Sequence, residues 1–162
     1  GFAEFENLIK SKKIKRLYAK RGMRVNLDKN LYLDILLPAV NSENLSEHDG
    51  MLVSRLVYKN NSFLLTGDME DNLENYLLSL DDSLKSDVLK VGHHGSKTST
   101  SENFLGWVNP GLAVISAGQG NKYGHPHKEV TDRLTKFKIP TLRTDEKGTI
   151  VFKSDGEKIL AK

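Results

Sequence analysis

Three short stretches of this sequence set carboxylate and imidazole side chains directly after apolar runs: Leu64-Leu65-Thr66-Gly67-Asp68, Lys90-Val91-Gly92-His93-His94-Gly95-Ser96 and Tyr123-Gly124-His125-Pro126-His127. Four of the five histidines fall in two of these stretches. In α/β folds the ends of strands are where ligands are held, and the glycines beside each motif allow close backbone approach, so a shared polar site is expected. Taken singly, each motif has a plainer reading: Gly67-Asp68 as a turn, His93-His94 as one buried and one solvated imidazole, His125-Pro126-His127 as a helix start with proline at the first helical position.

The residue types suit metal-assisted hydrolysis. A carboxylate can bridge two divalent cations, neutral imidazoles can complete their coordination, and two metals about 3.5 to 4 Å apart can generate a hydroxide and stabilise a phosphoryl transition state. In that scheme Asp68 is the bridge and His93 binds a metal directly, with His94 either a second ligand or the partner of one. His125 and His127 could bind metal, protonate a leaving group or grip a phosphate. Ser96, Lys97, Thr98, Ser99 and Thr100 form a hydroxyl-rich stretch with one cation, which suits a substrate grip or a loop ending in a helix cap.

Composition narrows the options. The chain has no cysteine, which excludes disulfides, thiolate zinc sites and cysteine nucleophiles, so any metal must bind through His, Asp or Glu. Its 162 residues suit one soluble globular domain, 1–162, and no apolar run approaches the roughly 20 residues of a membrane span. Gly1-Phe2-Ala3-Glu4 lacks the basic-then-apolar profile of a signal peptide. The net charge of +3 does not by itself argue for nucleic acid, and the cluster Lys10, Lys12, Lys13, Lys15, Arg16, Lys20, Arg21 and Arg24 reads first as a solvated surface.

The elements that must position these residues follow from periodicity. Phe2, Phe5, Leu8 and Ile9 predict a short helix, followed by a strand over Ile14 to Tyr18. Met23 to Leu27 and Leu31 to Leu37 predict a hairpin across Asp28-Lys29-Asn30, ended by Pro38, and residues 39–50 read as a surface loop. Strands follow at Leu52 to Tyr58, Phe63 to Leu65, Asp87 to Val91, Leu112 to Ser116, Thr141 to Arg143 and Thr149 to Phe152, with a turn over Asp145 to Gly148. Helices are predicted at Met69 to Leu80, at Ser101 to Val108 with Ser101 as cap, and at His127 to Phe137. The first half is mainly antiparallel and the second alternates strand and helix, which predicts an α/β fold, a mixed sheet with helices on one face.

From Leu52 to Phe152 the sequence resembles the metallo-β-lactamase-like domain of the ComEC family of competence proteins, channels that pass single-stranded DNA across the bacterial membrane. The resemblance rests on Phe63-Leu64-Leu65-Thr66-Gly67-Asp68 and the acidic helix after it, Asp87-Val88-Leu89-Lys90-Val91-Gly92-His93-His94-Gly95-Ser96, Val114-Ile115-Ser116, Tyr123-Gly124-His125-Pro126-His127 and Leu142-Arg143-Thr144-Asp145. Residues 1–50 match more loosely. Phosphodiesterases of the same superfamily acting on choline phosphate resemble the chain nearly as well.

The resemblance implies part of an αββα sandwich, Asp68 as the metal-bridging aspartate, His93 as the late ligand histidine, and zinc- or manganese-dependent hydrolysis of a phosphodiester, with degradation of the strand that is not imported. The role of the Gly124-His125-Pro126-His127 motif differs across the superfamily. The implied partners are DNA, the rest of a membrane channel protein, and the N-terminal half of the domain; the implied location is the bacterial cell membrane, as a soluble domain of the full-length protein. The superfamily's first metal motif, His-x-His/Asp-x-Asp-His, does not occur in the 162 residues, and His48-Asp49 does not replace it. The chain is therefore expected to be the C-terminal portion of such a domain, or a degenerate relative of it, with weak metal binding and little activity alone. The alternatives are a non-catalytic module that binds nucleic acid or supports assembly, and an extracellular small-molecule phosphodiesterase.

Overall fold

The computed structural model describes residues 1–39, 50–80 and 83–162. The expected loop over 39–50, including His48-Asp49, lies almost wholly outside the described residues. Seven strands form one sheet in chain order: β1 (Arg24–Asp28), β2 (Leu31–Leu37), β3 (Val53–Tyr58), β4 (Asn61–Leu65), β5 (Val88–Lys90), β6 (Leu112–Ile115) and β7 (Thr141–Arg143). β1 to β4 pair antiparallel, with short turns joining β1 to β2 and β3 to β4. β4 to β7 pair parallel, so each step requires a crossover.

The crossovers are helical. α2 (Asp71–Ser79) joins β4 to β5, α3 (Glu102–Val108) joins β5 to β6, and α4 (Lys128–Lys136) joins β6 to β7. The neighbouring sheet residues Leu64, Leu89 and Ala113 share one buried cluster with Leu77 of α2, Phe104, Leu105 and Val108 of α3, and Val130 and Leu134 of α4. All three helices therefore pack on one face, as the alternation of strand and helix predicts.

Because strand side chains alternate, the residues between those core positions face the other way. Leu33, Leu56 and Phe63 lie side by side across β2, β3 and β4, and all three are half-buried. Part of this face is covered by a small hairpin, β8 (Phe152–Ser154) with β9 (Ile159–Ala161), whose Phe152 ring meets Phe63 edge-to-face with centroids 5.7 Å apart. The rest of the face bounds a cavity of about 880 Å³ lined by Leu31, Leu56, Phe63, Leu65 and Phe152 among others.

Three expectations need correction. Ile14 to Tyr18 is not a strand: no neighbour offers it a ladder, and Ile14, Leu17 and Tyr18 are exposed. The expected strand Thr149 to Phe152 instead begins at Phe152, because its partner is β9 and not the main sheet. The turn at Asp145 to Gly148 is a single helical turn, α5 (Thr144–Lys147), tied to β7 by Arg143 Nη2 donating to Asp145 Oδ2 at 2.6 Å. α1 (Phe2–Ser11) forms where expected but buries none of its residues.

Candidate functional site

The parallel strands end together, and the polar motifs follow their last residues. Beyond β4, Thr66 donates its hydroxyl hydrogen to the carbonyl of Lys90 at 2.7 Å, and His93 N–H donates to the carbonyl of Gly67 at 3.2 Å. These two bonds fasten the Asp68 turn to the histidine turn. Lys90 adds a third tie, its ammonium donating to the Gly67 carbonyl at 3.0 Å. Burial lowers the pKa of Lys90, and the charge of Asp68 partly opposes that shift.

The histidine turn is conformationally strained. His93 and His94 both have left-handed backbone angles, with φ of 44° and 54°. For residues with a Cβ that conformation costs roughly 1–2 kcal/mol each, and it persists where the surrounding structure dictates it. The strain turns both imidazoles toward the strand ends. Gly95 follows with φ of 83°, and a Cβ there would stand 2.6 Å from Cβ of Pro126, so only glycine lets the two histidine motifs touch. Across that contact His127 N–H donates to the Gly95 carbonyl at 2.9 Å, and Lys97 N–H donates to His127 Nδ1 at 3.0 Å.

The result is a cluster. Asp68 Oδ1 stands 3.5 Å from His94 Nε2, whose Nδ1 lies 2.7 Å from the Ser116 carbonyl. His93 Nδ1 lies 3.0 Å from Glu70 Oε1. The His125 ring is 5.7 Å from that of His93, 6.5 Å from that of His94 and 4.8 Å from that of His127, centroid to centroid. Burial, reinforced by the neighbouring imidazoles, lowers the pKa of His125, so it favours the neutral form. A cavity of about 390 Å³ opens beside the cluster, bounded by His94, His125, Tyr123 and the Ser116–Gly118 backbone among others. It is smaller than the cavity on the open sheet face, but it is the one that borders the histidine cluster, which makes it the candidate site.

Pro126 precedes the first turn of α4 instead of opening it, because His127 is the N-cap with φ of −68° and ψ of 148°. Of the hydroxyl-rich stretch, Ser99 and Thr100 are fully buried and bond the Gly92 peptide: Ser99 Oγ donates to its carbonyl at 2.8 Å, and Gly92 N–H donates to Thr100 Oγ1 at 3.3 Å. Thr98 donates its hydroxyl to Glu70 Oε1 at 2.8 Å and lies 3.0 Å from Ser96 Oγ, while Lys97 is exposed.

Three residues that sequence reasoning missed hold this arrangement. Glu70 bridges His93 and Thr98. Glu74, fully buried, accepts from the backbone N–H groups of Thr100 and Ser101, the latter at 2.9 Å. Arg133, reaching across from α4, donates to the carbonyls of Lys97, Ser99 and Thr100 at 2.9 to 3.0 Å. Glu74 thus holds the loop by its donors and Arg133 by its acceptors. No local signal marks these residues, since each acts over more than 20 positions of chain.

Whether a metal fits can be tested on the donors. Two ligands bound at about 2.0–2.1 Å to one tetrahedral ion lie roughly 3.3–3.5 Å apart. The Asp68–His94 pair, too long for a good hydrogen bond, has that spacing. Yet among the described residues no three His, Asp or Glu side chains group closely enough to hold an ion. Two donors fit and a closed set is not present.

A mixed α/β sheet with helices on one face, carrying carboxylate and imidazole groups at the ends of its parallel strands, is the class this chain represents. No family model matches it. It is 40% identical over 134 residues, 83% of its length, to ComE operon protein 3 of Bacillus subtilis, and 39% identical over 111 residues, 68% of its length, to competence protein ComA of Neisseria gonorrhoeae. Recombination protein 2 of Haemophilus influenzae is 46% identical over 91 residues, 56% of the chain. The chain belongs to the ComEC family of competence proteins. It spans 17%, 16% and 11% of the length of these relatives, so it corresponds to a small part of each. Among the described residues no helix is long and apolar enough to cross a membrane.

Proposed function

We propose that this chain is part of a phosphodiester-hydrolysing domain of a DNA-uptake protein at the bacterial cell envelope, acting on single-stranded DNA or on the strand that is not imported. The observation that carries the reading is the convergence of Asp68 and His94, at 3.5 Å, with His93, His125 and His127 at the ends of the parallel strands. A divalent metal, zinc or manganese, held by Asp68 and His94 with His93 beside them and further ligands from the rest of the domain would supply an activated hydroxide and charge for a phosphoryl group.

The chain's own residues suit the remaining tasks. Glu70 holds His93 by Nδ1, which leaves Nε2 for the site. The neutral His125 can accept or pass on a proton beside the cluster. Lys97, exposed and with its backbone N–H on His127, can meet a backbone phosphate, while Ser96 and Thr98 fix the loop that carries it.

The incomplete ligand group and the open apolar sheet face support a further part of the proposal. The remainder of the domain packs on Leu56, Phe63 and Leu65 and brings the other ligands, so this chain alone binds metal weakly and turns over little. Incubating it with labelled single-stranded DNA and manganese or zinc tests the reading: cleavage that is abolished by chelator and by Asp68→Ala supports it, and cleavage indifferent to that substitution sinks it. The lack of a three-residue ligand group among the described residues also favours a second reading, a non-catalytic nucleic-acid-binding module. Binding of DNA that ignores both chelator and Asp68→Ala would favour that alternative.

A further inference from the structure

The loop between β6 and α4 exposes a large aromatic ring next to the cluster, and nothing in the hydrolysis scheme above uses it. Tyr123 is 65% exposed, in the run Gly120-Asn121-Lys122-Tyr123-Gly124. Its ring is 5.8 Å from that of His125 and inclined to it by 23°; His125 in turn is 6.5 Å from His94 and inclined by 20°. The three rings form a near-parallel series that runs from solvent to the Asp68–His94 pair. Tyr123 and His94 bound the same cavity of about 390 Å³, and the ammonium of Lys122 lies 5.0 Å from the Tyr123 centroid.

The ring is presented on a braced backbone. Asn121 accepts from His125 N–H at 3.0 Å and donates its side-chain amide to the carbonyls of Gly118 and His125 at 2.8 and 2.6 Å. These bonds close the turn below Tyr123, so a flat partner binding there loses little to loop ordering. An exposed, pre-positioned aromatic next to a cation and one step from a phosphate-handling group matches how single-stranded nucleic acids are held: bases stack on rings while charges follow the backbone.

We propose that Tyr123 is the stacking platform for one nucleobase of a single-stranded nucleic acid whose adjacent phosphate lies at the Asp68–His94 pair. This rests on the phosphodiester reading above and adds a base-contacting subsite to it. Stacking tolerates any base, so the subsite contributes affinity and register without sequence preference.

The test is fluorescence anisotropy with a labelled oligothymidylate and with the same oligomer carrying abasic positions throughout, against the wild-type chain, Tyr123→Phe and Tyr123→Ala. Wild type and Tyr123→Phe are expected to bind alike, and Tyr123→Ala about 5- to 100-fold more weakly. Wild type should discriminate against the abasic strand by a similar factor, and Tyr123→Ala should lose that discrimination. Equal binding of the two oligomers by wild type, or unchanged affinity in Tyr123→Ala, overturns the platform. If Asp68-dependent cleavage survives such a result, only the platform fails. Base- and Tyr123-dependent binding that ignores both chelator and Asp68→Ala leaves the platform standing and favours the non-catalytic reading over the hydrolase. A wild-type chain that binds neither oligomer rejects the platform outright.

Discussion

Glu70 Oε1 stands 3.0 Å from Nδ1 of His93 and accepts the Thr98 hydroxyl at 2.8 Å, so one carboxylate fixes both a candidate ligand and the loop beside it. A carboxylate on one ring nitrogen favours the tautomer with its hydrogen there and leaves the other nitrogen as a lone-pair donor. Glu70→Ala should therefore shift His93 toward a mixture of tautomers, visible in nitrogen-15 spectra of the neutral ring. Zinc affinity should fall about 10- to 100-fold, and Glu70→Gln should lose less. An unchanged tautomer in the alanine variant would show that Glu70 does not orient the ring.

Glu74 and Arg133 make a second pair of opposed contacts, on the loop that follows. Glu74→Ala orphans the N–H groups of Thr100 and Ser101 in a buried setting, and at about 1–3 kcal/mol for each unsatisfied donor the loss should be on the order of 3 kcal/mol of unfolding free energy. Urea denaturation measures it. A loss within about 0.5 kcal/mol, the range of ordinary surface substitutions, would mean the carboxylate does not hold the loop.

The same residue predicts a pH dependence. Burial raises the pKa of Glu74, and the bonds from Ser101 and Thr100 only partly offset this. The folded state thus binds the proton more tightly than the unfolded chain. The resulting stability is fully present below the ordinary glutamate pKa and is lost as pH rises through the raised folded value. Wild-type stability should gain on lowering pH through that window relative to Glu74→Gln, which cannot titrate. Parallel pH profiles of the two proteins would contradict the assignment.

What the sequence made legible, and what it did not, divides by the range of the interactions. Asp68, His93, His94, His125 and His127 could be grouped because each follows an apolar run with a glycine beside it, and strand ends converge in such folds. The cap at Ser101 was legible for a local reason, and its Oγ accepts from Phe104 N–H at 3.2 Å. Glu70, Glu74 and Arg133 were not legible, because their partners lie across crossovers whose packing no local pattern encodes. Ile14 to Tyr18 carries apolar residues in a strand-like pattern yet pairs with nothing described, since a strand needs a neighbour as well as a propensity. The β8–β9 hairpin has a local signal of its own, Asp155-Gly156 between two short runs.

Gly95 offers a sharp steric test. Any Cβ at this position meets Pro126 at 2.6 Å and must also adopt a φ of 83°. Gly95→Ala should push the two histidine motifs apart, weakening the bond from His127 N–H to the Gly95 carbonyl and separating the His125 ring from those of His93 and His94. Stability should drop by about 1–3 kcal/mol, and metal or DNA binding should fall further than the loss of folded protein explains. Unchanged proton shifts for all of these rings would show that the loops tolerate the extra methyl and that the glycine is dispensable.

The open sheet face makes the last prediction. Leu65 is 38% exposed at the end of β4, three positions before Asp68, on the face where Leu56 and Phe63 bound the 880 Å³ cavity. If the rest of the domain packs there, a charge at Leu65 must be buried without a partner in the assembled protein while remaining solvated in this chain alone. Leu65→Glu should leave the melting temperature of the isolated chain within a few degrees of wild type. In the full-length parent it should cause loss of folded protein or of metal retention. The contrast matters more than either value, because a substitution that merely damaged β4 would lower both. Equal tolerance in the two settings would place the rest of the domain elsewhere and leave the incomplete ligand group at Asp68 and His94 without its expected source.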